Sequence, residues 1–191
     1  MQCIFFKEII TTDLAKGIPY AKIRRCCTVT EAAKRQHRCA FTGHRPEKLD
    51  LPEADVRLLL QNAIEQAYAD GYNVFISGMA RGVDMWAADL VLQFREAHPD
   101  VKLMCAIPFT GHELRWSAPQ QAEFRRIVQC SDLAITVCGG YSSDCYQRRN
   151  EWMIDHCSRL IAVWDGRPSG TKNAVDYAEA QGIEVINLLE N

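Results

Sequence analysis

The chain of 191 residues lacks most of the signatures that would name a chemistry or a compartment. Nine cysteines are present, none of them spaced Cys-x-x-Cys. An odd number of thiols without a secretory leader excludes a disulfide framework. Cys39, Cys105 and Cys138 sit in apolar runs and read as small buried hydrophobes. No residues carry the spacing of a metal centre, so no metal is expected. There is no Gly-x-Ser-x-Gly elbow and no His-Glu-x-x-His. There is no Gly-x-Gly-x-x-Gly and no Walker P-loop, so neither NAD binding nor ATP hydrolysis is specified. No apolar run approaches the roughly 20 residues of a membrane span. The stretch Met1–Glu8 is too short in apolar residues, with no basic region before it, to act as a secretory signal. These features predict a cytoplasmic protein with reduced thiols and no membrane partner.

Charge is spread unevenly. Residues 1–38 hold eight basic and three acidic side chains; the rest holds 14 basic and 21 acidic, a net −7. An acidic main domain argues that nucleic acid is an unlikely partner. Residues 1–37 lack a clean period and are broken by Gly17-Ile18-Pro19. They read as an N-terminal extension, with a short helix near Thr28–Arg35 capped by Thr28 or Thr30.

From residue 38 to 191 the pattern is regular. Apolar runs at Cys39–Thr42, Asn73–Ser77, Lys102–Ile107, Leu133–Cys138, Leu160–Trp164 and Glu184–Leu188 predict strands, most of them continuous enough to be buried on both faces. Amphipathic stretches lie between them. Gly71 and Gly182 stand where helices should stop. Ser117 with Pro119 marks a helix start. Alternating strands and helices predict an α/β, Rossmann-like fold: a mostly parallel sheet with helices on both faces.

Ligands of such folds bind past the carboxyl ends of the strands. Five segments there carry glycine or proline with polar side chains. The most informative is Ser77-Gly78-Met79-Ala80-Arg81-Gly82-Val83-Asp84, a strand feeding a helix through a glycine turn. That arrangement aims backbone N–H groups at one point and attracts phosphate. Gly78 and Gly82 admit a ligand closely, or only pack helix on sheet. Arg81 can point into the site. Asp84 can orient the loop, bind a ribose hydroxyl or act as a base. After the first strand come Gly43, His44 and Arg45, a source of charge and a proton donor, although Arg45 can pair with Glu47 instead. Pro108 follows the third strand. Trp116 lies in a polar stretch and can stack on a base or serve as a lid. Arg149 and Asn150 begin a helix as an anion clamp or a subunit contact. Asp165 follows the fifth strand. Ser169, Gly170 and Thr171 open the last helix, with Thr171 able to cap it and present a hydroxyl to an anion. The expected ligand is a nucleotide or a nucleotide-like molecule; no cofactor is firmly implied.

Several of these elements together resemble the YpsA-like branch of the SLOG superfamily. They are Phe41-Thr42-Gly43-His44-Arg45-Pro46, Ser77–Asp84, Ala106-Ile107-Pro108-Phe109, Arg149-Asn150, and Gly170-Thr171 with Asp176-Tyr177-Ala178. The Ser77–Asp84 motif also looks like the Ser-Gly-x-Ala-x-Gly-x-Asp of the DNA-processing protein DprA. The resemblance implies a Rossmann-like domain that binds nucleotides or nucleotide-derived, ADP-ribose-like molecules, acting as a sensor, and a homodimer. Two alternatives travel with it: a phosphoribohydrolase cleaving an N-glycosidic bond, and a DprA-like binder of single-stranded DNA. The phosphoribohydrolases carry Pro-Gly-Gly-x-Gly-Thr-x-x-Glu, and here the glutamate position is Ala174. The resemblance therefore implies binding more than that catalysis. Trp152, with Arg148-Arg149, hints at a subunit contact.

Overall fold

The structure, a computed structural model, describes residues 30–189. Six strands form one sheet: β1 (Arg38–Gly43), β2 (Val74–Ser77), β3 (Lys102–Phe109), β4 (Leu133–Cys138), β5 (Arg159–Val163) and β6 (Glu184–Asn187). Their order is β4-β3-β2-β1-β5-β6, and every pairing is parallel. Six helices accompany them: α1 (Glu31–Arg35), α2 (Glu53–Ala69), α3 (Val83–Ala97), α4 (Ala118–Cys130), α5 (Cys145–Asp155) and α6 (Gly170–Ala180). The expected Rossmann-like α/β architecture is present. None of the described helices is long and apolar enough to cross a membrane.

Strand periodicity divides the core in two. Cys39, Phe41, Phe75, Leu103 and Ile161 point to the face covered by α2, α3 and α4. Ala40, Ile76, Met104, Leu160 and Ala162 point to the face covered by α5 and α6. Residues one apart in a strand face opposite ways, so a strand apolar at every position requires a helix layer on each side. Phe41 stacks on Phe75 across β1 and β2, with ring centroids 5.8 Å apart.

Local chemistry fixes the helix ends. Gly71 follows α2 at φ 95° and Gly182 follows α6 at φ 67°, the left-handed conformation that ends a helix and that glycine adopts without strain. The Gln120 side chain accepts from the Ser117 N–H at 3.1 Å at the start of α4. Thr30 caps α1 by accepting from the Ala33 N–H. The possible Thr28 cap, and the rest of the extension before residue 30, lie outside the described residues.

Two expectations need adjustment. Pro108 lies inside β3 rather than after it, because β3 runs beyond Cys105, its last partner against β2. A stretch with one hydrogen-bonded neighbour tolerates a residue without an N–H. β4 is apolar but largely exposed, because it is the sheet edge; Leu133 is 46% exposed.

β1 has β2 on one side and β5 on the other. The chain leaves β1 in one direction to build β2, β3 and β4, then crosses to the other side for β5 and β6. Loops that follow β1 and β5 therefore diverge to opposite faces, and a crevice opens between them.

Candidate functional site

The crevice is a cavity of about 370 Å³. Its walls come from four segments distant in sequence: Gly43, His44 and Arg45 after β1; Ala80 and Asp84 around the start of α3; Tyr146, Arg149 and Asn150 on α5; and Ser169, Gly170 and Thr171 at the start of α6. Nine of the expected site residues thus meet in one place.

At its base lies a buried ion pair. The Arg149 Nη1–H donates to the Gly78 carbonyl and to the Asp84 carboxylate, the latter at 3.1 Å. Asp84 also accepts from the Ala80 N–H at 3.3 Å. Burial pushes the Asp84 carboxyl up and the Arg149 guanidinium down, and each holds the other charged. Arg149 Nε is buried with no partner among the described residues. A donor without an acceptor in such a place is costly unless a ligand supplies one.

Gly78 explains how the arginine fits. A Cβ at this position would stand 2.6 Å from Arg149 Cζ and 2.7 Å from Asp84 Oδ2. Its lack of a side chain seats the ion pair; it is absent from the cavity wall. Gly82 plays a similar mechanical part. It has φ 88°, and a Cβ there would meet Pro46 Cδ at 2.7 Å and the His44 carbonyl oxygen at 3.0 Å. It packs one loop against another instead of facing the crevice. Ser77 lies beneath, fully buried, accepting from the Met79 N–H at 3.1 Å and donating to the Asp84 carbonyl at 2.8 Å. These bonds hold Met79 at φ 56°, a strained value for a side chain with a Cβ.

The α6 end of the cavity is formed by the first residues of that helix. Ser169, not Thr171, caps the helix, accepting from the Lys172 N–H at 3.2 Å. Thr171 is buried on the cavity wall in the first turn of the helix. Asn150 donates to the Gly170 carbonyl at 3.2 Å and ties α5 to the start of α6. Helix N-termini of this kind offer free N–H groups and positive potential.

His44 is buried, and its Nε2–H donates to Asp165 at 2.8 Å. Asp165 also accepts from the backbone and side chain of Arg167, which holds its carboxyl well below the usual carboxylate range. Asp165 therefore orients His44 from behind and does not line the cavity. Glu47 pairs with Arg81 at 2.7 Å, leaving Arg45 without a carboxylate.

A second cavity of about 500 Å³ adjoins the first and shares Arg45, Ala80 and Tyr146 with it. Arg81, His112, Arg115 and Trp116 line the remainder. Sequence reasoning passed over Lys48, His112, Arg115 and Tyr146, whose only signal was their place in loops after strands or at the head of α5. Trp152 stacks on His156 within the chain, with ring centroids 4.0 Å apart.

The distribution of free cations is the clearest electrostatic feature. Among the described residues, Arg45, Lys48, Arg115 and Arg148 are the arginines and lysines with neither an ion pair nor a side-chain hydrogen bond. All four sit in the loops or helix starts that follow strand ends.

A family model described as the YspA SLOG family matches residues 39–186. The chain belongs to this family. It is 36% identical over 117 residues to the SPbeta prophage-derived protein YoqJ of Bacillus subtilis, covering 55% of this chain and 68% of YoqJ. It is 31% identical over 137 residues to a UPF0398 protein of Staphylococcus epidermidis, covering 65% and 71% of the two. Two solved structures share the fold. DprA of Streptococcus pneumoniae aligns with TM-score 0.57 at 19% identity, over 78% of this chain and 49% of that one. DprA of Helicobacter pylori aligns with TM-score 0.55 at 16% identity, over 81% and 66%. This SLOG chain thus spans about half of the first DprA and about two thirds of the second.

The second DprA structure was described for its single-stranded DNA binding mode. The expectation that nucleic acid is an unlikely partner is therefore corrected. Net charge averaged over a domain was the wrong quantity. Many of the acidic residues are spent in ion pairs, while the unpaired cations gather in the loops and helix starts that follow strand ends. Membership of the SLOG family, with this fold, supports a role in handling nucleotides or nucleic acid.

Proposed function

We propose that the protein binds single-stranded nucleic acid by holding a backbone phosphate in the crevice between β1 and β5. The observation that carries this reading is Arg149 on the wall of that cavity, its Nε buried and without an acceptor among the described residues. Around it stand Arg45 and Lys48, also unpaired, and the N-terminus of α6 with Thr171. Phosphate oxygens match that set of donors. Tyr146 and Trp116 offer aromatic rings beside the same path, as single-strand binders use for bases.

A free nucleotide or nucleotide derivative, sensed by the protein, is the second reading. It is favoured by the cavity volume of about 370 Å³, which suits one small ligand. N-glycosidic hydrolysis has less behind it. Asp84 is the carboxylate on the cavity wall, and it is already held by Arg149 and Ala80. Ala174, at the glutamate position, is buried against the sheet.

The test is fluorescence anisotropy with a labelled oligothymidylate. Gly170 has open space where a Cβ would stand, so Gly170→Leu fills the crevice without disturbing the packing. We expect binding in the wild type and none in this variant at an unchanged melting temperature. The salt slope should fall in magnitude by about 0.7 when Lys48→Ala removes one phosphate contact. Equal binding by wild type and Gly170→Leu would refute the site.

A further inference from the structure

We infer that the ligand consists of two nucleoside units joined through phosphate, the second unit occupying the cavity of Arg115, Trp116 and His112. This rests on the reading of the first cavity as a phosphate site and extends it to a second subsite.

Three observations support the extension. First, the cavities are not separate: Arg45, Ala80 and Tyr146 belong to the walls of both. Each is large enough for a nucleoside, at about 370 and 500 Å³. Arg45 stands at the junction with no carboxylate of its own, which is where a linking phosphate between two units would lie.

Second, the outer cavity carries its own unmet polar groups. Arg115 is exposed and unpaired. His112 is buried, and its Nε2–H donates to the Met79 carbonyl at 3.1 Å. Its Nδ1 has no hydrogen-bond partner among the described residues, with the Glu113 carboxylate 3.6 Å away. Burial lowers the imidazole pKa, so Nδ1 carries a lone pair.

Third, the aromatic wall is fixed in advance. Trp116 meets His112 and Phe124 at close to right angles, with centroids 5.0 and 5.7 Å away. Phe109 in turn meets His112 and Tyr146 edge-on. A ring already immobilised loses little freedom when a base stacks on it.

Two sources supply this chemistry: a single strand, with a phosphodiester between the units, and a dinucleoside pyrophosphate. Calorimetric titration of the full chain with dAMP, with the dinucleotide d(pApA) and with diadenosine pyrophosphate separates them. We expect one of the two-unit ligands to bind about tenfold or more tightly than dAMP, as one stacked base would add. Arg115→Ala, which removes an exposed side chain with no ion pair or side-chain hydrogen bond among the described residues, should erase that advantage and leave dAMP affinity at the wild-type value. Trp116→Ala should erase the advantage as well if it remains folded by circular dichroism. Equal affinity for dAMP and both two-unit ligands would overturn the second subsite while the phosphate site stands. So would an advantage that survives Arg115→Ala. Failure of all three ligands to bind would overturn the phosphate site as well.

Discussion

Placing a single methyl group at Gly78 should uncouple the ion pair at the base of the crevice. In Gly78→Ala the new carbon would sit 2.6 Å from Arg149 Cζ and 2.7 Å from Asp84 Oδ2, so the guanidinium must leave. Asp84 then keeps one hydrogen bond, from Ala80, in a buried site. Breaking a buried pair costs about 3–5 kcal/mol. Protonation sets a ceiling. Neutralising a carboxyl of ordinary pKa about 3.9 costs about 1.4 kcal/mol per pH unit, so about 4 kcal/mol at pH 7 and about 1.5 kcal/mol at pH 5. The sign follows from the raised pKa of Asp84. A carboxyl raised on folding favours the folded state below its ordinary pKa and loses that contribution as pH rises through the raised value. Loss of Arg149 raises it further and deepens that loss at neutral pH. Urea denaturation from pH 5 to 7.5 reads the difference between variant and wild type. It should approach about 4 kcal/mol at pH 7, shrink on acidification, and lose its pH slope when Asp84→Asn is added. A difference below about 1 kcal/mol at pH 7, or one flat with pH, would refute the clamp, since a lone hydrogen bond accounts for that much.

Gly82→Ala should destabilise by about 1–3 kcal/mol in the same assay, from the positive φ and the collision with Pro46, and a neutral result would show that the two loops are not packed as described. Asp165→Asn should lower stability at neutral pH. Its carboxyl is depressed by Arg167, so wild-type stabilisation is present above the ordinary carboxylate range and lost on acidification; the two melting curves should converge at low pH, and a constant gap would count against it. Iodoacetamide at neutral pH should label exposed Cys130 in the native protein. Cys105 and Cys157, pushed up to about 11 and about 12 by burial, should react only after unfolding, as peptide mass spectrometry would show; equal rates at all three would be inconsistent with this core.

The sheet was legible because strands buried on both faces must be apolar at consecutive positions, and β1, β2, β3 and β5 are. The exposure of β4 was not, since Leu133-Ala134-Ile135 reads the same at an edge as in a centre. The crevice was legible from a topological rule: His44, Arg45, Gly170 and Thr171 all follow strand ends. What each residue does there was not. Arg149 and Asp84 are 65 residues apart, and His44 and Asp165 are 121 apart, so no local pattern pairs them. Gly78 and Gly82 looked like ligand contacts, yet their neighbours are a guanidinium and a proline ring that only the folded chain brings near. Charge failed in the same way: composition counts every carboxylate, whereas a ligand meets only the cations left unpaired.

The clamp of Arg149 has a mechanical meaning of its own. It projects from α5, on one face of the sheet, and grips Asp84 in α3, on the other. The two helical layers are otherwise separated by the sheet. This is a strap across the carboxyl end of the strands, and a ligand that engages Arg149 tightens it. Occupancy should then be felt far from the crevice. Amide exchange should slow in α3 and α5 together, and the whole domain should melt later as ligand concentration rises, by RT ln(1 + [L]/Kd). A ligand that merely ordered a surface loop would leave those helices exchanging as before.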